Sequence, residues 1–321
     1  MTRLLTERDV QSLLTLDLAL EAVEAAFRDL AAGAGSLNHP RRRIPLKNGL
    51  LHYMAGALPG QGVLGLKIYP VVAGRVNFLV PLYSAETGRL LALLEANHLG
   101  QMRTGAASGV ATKYMARPES KTLGLFGTGG QARTQLLAVC AVRPIEQVRV
   151  YSRSAEKRAE FVREMQPLIT ARIEAVDQPR AAVEGADVVV TMTTSSQPVF
   201  SGEWLTPGAH INAAGSNHLK RREIDGVTVS RCGQIAVDSL EQAQLECGDL
   251  AAAVDEGLLT WEAVTEFADI VAQKAPGRAS AAEITLFESH GLAVWDLATA
   301  ARVFELAIQR GVGTEIPLFA G

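Results

Sequence analysis

The sequence predicts an α/β fold, a doubly wound parallel sheet, joined to a smaller α+β lobe. From Thr122 onward short apolar runs alternate with helical stretches, at Thr122 to Phe126, Gln147 to Tyr151, Arg172 to Val176, Asp187 to Met192, Ala209 to Ala213 and Gln234 to Val237. Such alternation builds a parallel sheet with helices on both faces. Upstream the rhythm differs, with one amphipathic helix followed by strand-like runs. At 321 residues the chain also exceeds what a single hydrophobic core usually fills.

In the upstream part Leu16, Leu20, Val23, Phe27 and Leu30 recur at three- and four-residue steps and Gly33 stops the pattern, which predicts a helix over 15–32. Strands are expected at 49–54, 64–69, 76–83 and 90–95, the last two turned by Glu86-Thr87-Gly88. An Ala- and Gly-rich helix capped by Thr104 is expected over 104–116, stopped by Arg117-Pro118. A last helix follows Asp296 through Val303, Leu306 and Ile308 and returns to the first lobe. The expected domains are therefore 1–117 with 297–321 for the α+β lobe, and 118–296 for the doubly wound lobe.

Composition excludes several classes of function. Hydrophobic residues make up 48% and charged residues 20%, too apolar for a disordered chain. A net charge of -3, with Arg41-Arg42-Arg43 as the densest basic run, offers no surface for nucleic acid. The N-terminus turns acidic at Glu7 and Asp9, and no apolar run reaches bilayer length, so neither secretion nor membrane spanning is expected. Cys140, Cys232 and Cys247 lie far apart without metal-ligand spacing; we expect no metal and a reducing cytoplasm.

The segment Gly127-Thr128-Gly129-Gly130-Gln131-Ala132 follows one apolar run and opens a helix over 132–141. In that context it is the fingerprint of a Rossmann dinucleotide site: Gly127 permits the tight turn, Gly129 lets backbone approach a pyrophosphate, and Ala132 lets the helix lie close to the strand. The helix start then offers amides and a partial positive charge to the phosphates. NAD-selective sites place an acid at the end of the second strand, about twenty residues on. Here Ser152, Arg153 and Ser154 stand instead, suited to a 2′-phosphate, so the expected cofactor is NAD(P), with NADP favoured. Thr193 and Thr194, and Gly215 and Ser216, follow later strands and are expected to wall the nicotinamide pocket.

Together with Gly65-Leu66-Lys67, Glu86-Thr87-Gly88, Arg103-Thr104-Gly105-Ala106-Ala107-Ser108, Ile211-Asn212-Ala213-Ala214-Gly215 and Thr285-Leu286-Phe287-Glu288-Ser289-His290-Gly291, this turn makes nearly the whole chain resemble the ornithine cyclodeaminase and mu-crystallin family. The resemblance implies a homodimer formed through the first lobe, a site between the lobes, and a small α-amino or α-imino acid as substrate. It implies that Lys67 contacts the substrate carboxylate and moves a proton, that Arg103 grips the carboxylate from just before a helix, and that Arg43 assists, with Arg41 and Arg42 close by in register. Asn77, His218 and His290 are lesser pocket candidates.

Two departures matter. Where cyclodeaminases carry a glutamate this chain has His52, and where they and the archaeal-type alanine dehydrogenase carry an aspartate it has Asn217. A neutral amide can neither pair with a substrate ammonium nor take its proton. With His52 and Asn217 as candidate catalytic residues, the expected activity is an imino acid reductase or amino acid dehydrogenase. The alternatives are a cyclodeaminase or hydroxyproline-dehydrating lyase that returns its NAD unchanged, and a non-enzymatic crystallin-like binder of small ligands.

Overall fold

The computed structural model describes residues 1–33 and 35–318. Its contacts divide the chain into two compact units, Met1–Arg103 with Gly291–Gly321, and Thr104–His290. The divisions lie at 103/104 and 290/291, where sequence reading had put them at 117/118 and 296/297. The first division falls inside an Ala- and Gly-rich helix.

That helix spans Asn97–Met115 and does not start at Thr104. Its first amides are capped from far away, the Glu7 carboxylate accepting the Asn97 and His98 N–H groups at 3.1 and 2.6 Å. A cap so remote in sequence leaves no local signal. Arg103 consequently lies inside the helix, so the expected help from amides at a helix start beginning at Thr104 is withdrawn.

The first unit carries a mixed sheet ordered Thr314–Ile316, Thr2–Leu5, Leu90–Glu95, Leu79–Ser84, Val63–Val72, Gly49–Leu58 and Leu37–Asn38, with Arg42–Leu46 pairing on Gly49–Leu58 and Arg75–Val76 on Val63–Val72. The Leu16–Ala32 helix begins where the Thr15 hydroxyl accepts the Leu18 N–H and ends on Gly33 at φ 66°, a cap contributing about 1 kcal/mol. It packs Phe27 edge-on against Trp295, ring centres 5.2 Å apart, both fully buried. Trp295 belongs to the Ala293–Arg310 helix. Leu292 provides no side-chain cap there; Asn38 Oδ1 accepts the Ala293 and Val294 N–H groups instead. The early start draws Trp295 and Asp296 into the buried face.

Strand alternation then decides the position of Lys67. In Val63–Val72, Val63, Gly65 and Lys67 are buried and Leu64 and Val72 are exposed. The register pairs Met54 with Lys67 and His52 with Tyr69 on that inner face.

The second unit is a parallel sheet ordered Arg172–Ala175, Gln147–Tyr151, Thr122–Phe126, Val188–Thr191, His210–Ala213, Ile284–Glu288, Cys232–Val237 and Thr265–Glu266. The expected strands are present with small shifts at their ends. Ile284–Glu288, unforeseen as a strand, is inserted between His210–Ala213 and Cys232–Val237. The order runs one way from Thr122–Phe126 and then resumes on its other side at Val188–Thr191, which makes that junction the switch point where open sheets bind ligands. No helix among the described residues is long and apolar enough to cross a membrane.

Candidate active site

At the switch point of the second unit, Gly127 adopts φ 108°, and a Cβ on it would stand 2.2 Å from the Met192 carbonyl oxygen. Only glycine satisfies both demands. A Cβ on Gly129 would meet nothing within 4 Å, so the space above the turn is open. The Gly130–Val142 helix has Gly129 as its N-cap and no side-chain cap. An uncapped helix start under open space fits a pyrophosphate.

Around this turn lies a cavity of about 500 Å³, lined by Gly127 to Gly129, by Tyr151 to Ser154 with Lys157, and by Met192 to Ser195. It gathers Thr128, Ser152, Arg153, Ser154, Thr193 and Thr194, and adds Lys157. Gly130 and Gln131 form the first helical turn, and Ala132 is buried beneath it. Thr128 and Ser152 hydroxyls meet at 3.4 Å. Ser154 caps the following helix by accepting the Lys157 N–H, while Arg153 is exposed at the rim.

The far wall is braced by a residue that sequence reading missed. Glu223, fully buried, accepts Thr191 Oγ1 at 2.9 Å, Thr193 N–H and Oγ1 at 2.6 Å each, and the Gly215 N–H at 2.7 Å. Its own N–H, with that of Ile224, donates to Asp249. Burial, with the Asp249 charge adding to it, lifts the Glu223 carboxyl to about 7 against the Thr193 and Gly215 donors. Gly215 and Ser216 therefore turn their polar groups inward, Ser216 Oγ donating to the Arg221 carbonyl. Asn217 is half-buried on the loop beyond, and His218 is exposed with Nδ1 accepting the Lys220 N–H. His290 is buried against Asp238, which accepts its N–H at 2.7 Å.

In the first unit Lys67 and Arg103 converge on one carboxylate oxygen: Lys67 Nζ and Arg103 Nε each donate to Asp296 Oδ1 at 3.0 Å. All three are buried. Gly100 lets the ammonium lie against the helix, since a Cβ there would be 3.0 Å from Nζ. Arg103 also lies over Trp295, 5.7 Å from the ring centre. Burial first and the Arg103 charge second lower Lys67 to about 8, against the opposing pull of Asp296. An ammonium of that kind gives up a proton near neutral pH.

Beside it runs an aromatic row. His52 stacks on Tyr69 at 4.6 Å and 2°, Tyr69 tilts against Phe78 at 4.6 Å, and Lys67 Nζ lies 4.8 Å from the Phe78 ring centre. Burial, then Arg43, then Arg41 lower His52 to about 4, so its imidazole is neutral at physiological pH. Arg43 pairs in register with His52 and is half-buried. Arg41, unassigned in the sequence reading, is the buried arginine of the three and also lowers Lys67. Its place two residues before Arg43, on the same strand parity, was the available signal. Asn77 is exposed.

The chain matches the ornithine cyclodeaminase/mu-crystallin family over residues 1–311. It is 35% identical over 322 residues to a Delta(1)-pyrroline-2-carboxylate reductase of Bacillus cereus, covering 97% of this chain and 98% of that one. Among solved structures, it resembles the Delta(1)-pyrroline-2-carboxylate reductase of Thermococcus litoralis in complex with NADH and L-proline, with a TM-score of 0.93 and 38% identity over 98% of this chain and 100% of that one. An archaeal alanine dehydrogenase dimer with bound NAD gives a TM-score of 0.92 and 36% identity over 99% of each chain. With this coverage the chain belongs to the ornithine cyclodeaminase/mu-crystallin family.

Proposed function

We propose that the protein is an NAD(P)-dependent imino acid reductase, acting in reverse as an amino acid dehydrogenase. The observation that carries this is the buried trio of Lys67, Arg103 and Asp296, two cations on one carboxylate in a chain that also has an open dinucleotide turn. The trio's net positive charge suits a substrate carboxylate, with Arg103 holding it and Lys67 delivering a proton to the imine nitrogen. A bound nicotinamide supplies the hydride for the α-carbon. The neutral row of His52, Tyr69 and Phe78 favours a flat ring, so a cyclic ketimine acid such as pyrroline-2-carboxylate is the preferred substrate over an acyclic imine. Asn217, lacking a charge, speaks against cyclodeamination.

Arg153 and Lys157 at the cavity rim support NADPH, although the similar solved structures hold NADH or NAD. The proposal includes a homodimer: Leu37, Ile44, Leu46, Leu64, Val72 and Leu79 are exposed, and the strand register puts them on the sheet face opposite Lys67. A cytoplasmic location keeps Cys140, Cys232 and Cys247 as thiols. The test is cofactor oxidation with pyrroline-2-carboxylate, and with pyruvate plus ammonia. Net oxidation, faster with the cyclic substrate, is expected; turnover of ornithine or hydroxyproline with no net change in cofactor would replace this reading with the lyase.

A further inference from the structure

We infer that Asp296 is the positioning residue of this site, fixing the proton of Lys67 and the aim of Arg103 through a single oxygen. The inference rests on the reading of Lys67 and Arg103 as the substrate-facing pair. Both donors use Oδ1 at 3.0 Å, and Oδ2, also buried, has no hydrogen-bond partner among the described residues. The two cations therefore cannot move independently: a shift of the guanidinium drags on the oxygen that holds the ammonium. Asp296 lies in the first turn of the Ala293–Arg310 helix.

The charged groups facing Lys67 are Asp296 from that helix, Arg103 from the Asn97–Met115 helix and Arg41 from the segment before Arg42–Leu46. Burial first, then Arg103 and Arg41, drives its proton off, and Asp296 holds it on. The chemistry needs that balance, because a lysine stripped of its proton cannot deliver one to the imine nitrogen. Arg103 needs the same carboxylate to keep Nε occupied, leaving the terminal nitrogens of its fork for a substrate carboxylate.

The experiment is the pH profile of kcat/KM for imine reduction. Asp296→Asn moves its alkaline limb to lower pH and lowers kcat/KM at neutral pH by about 10- to 100-fold. Asp296→Glu restores the limb in part, and the NAD(P)H dissociation constant stays unchanged. Arg103→Gln moves the limb to higher pH, since Asp296 then serves Lys67 alone; this variant carries the test if Asp296→Asn does not fold. An unmoved limb in a folded Asp296→Asn or Arg103→Gln protein, where Lys67→Met abolishes turnover, overturns the inference and leaves the reductase reading intact. Full turnover by Lys67→Met overturns the site itself.

Discussion

The two units make their sites from different materials. In Thr104–His290 the cavity proposed for the dinucleotide is built from backbone: a turn that only glycine can make, an uncapped helix start, and strand ends tied together behind the wall. In the first unit the site is built from side chains that strand register and one helix start bring onto a shared carboxylate. Backbone sites are announced by local sequence, because each glycine answers a local geometric demand. Side-chain sites depend on pairings between segments hundreds of residues apart. The two should accordingly fail in different ways.

The sharpest way to break this contrast is Gly127→Ala. A side chain there meets both an unfavourable φ and the Met192 carbonyl, a strain of roughly 1–3 kcal/mol, compounded by loss of the turn's shape. We expect the cofactor dissociation constant to rise by about 100-fold. Titration of NADPH by fluorescence checks it; an unchanged value would mean that the turn does not carry the phosphates.

A smaller effect is expected at Glu223→Gln, where side chain and backbone meet. An amide cannot accept from all four donors that the carboxylate serves, and cofactor affinity should drop by about 10-fold. Because the folded value of about 7 lies above the ordinary 4.5, the fold favours the protonated form. Its contribution to stability is full below pH 4.5 and fades as pH rises through 7. Wild type should lose thermal stability across that window more steeply than Glu223→Gln, and cofactor affinity should weaken as pH falls below 7. Parallel stability curves for the two proteins would refute the assignment.

An effect confined to one cofactor is expected at Arg153→Ala, which should weaken NADPH by about 3- to 10-fold and NADH hardly at all. Equal losses for both cofactors would remove the preference for NADP while leaving the dinucleotide site untouched.

The same contrast explains how much was legible in the sequence. The Gly127 to Ala132 turn, the parallel strands and the Thr15-capped helix were readable because each is set by residues within one or two turns of one another. The family markers pointed to Lys67 and Arg103, but the carboxylate both donate to was invisible, because Asp296 joins only when its helix starts early on Asn38. Thr104 was mistaken for a cap for the same kind of reason, the true cap being Glu7. Glu223 left no motif, as its donors come from Thr191 and Thr193 at the end of one strand and Gly215 beyond the end of another. Of the neighbouring arginines, alternation allowed 41 and 43 alike, and only packing made Arg41 the buried one.

The proposed net hydride transfer is open to test with NADPH carrying deuterium at nicotinamide C4 and pyrroline-2-carboxylate as substrate. Separate reactions should use cofactor labelled on either face of the ring. One of the two should yield proline with deuterium at its α-carbon, in step with stoichiometric cofactor oxidation. Unlabelled proline from both reactions, or product formed while the cofactor stays reduced, would contradict it.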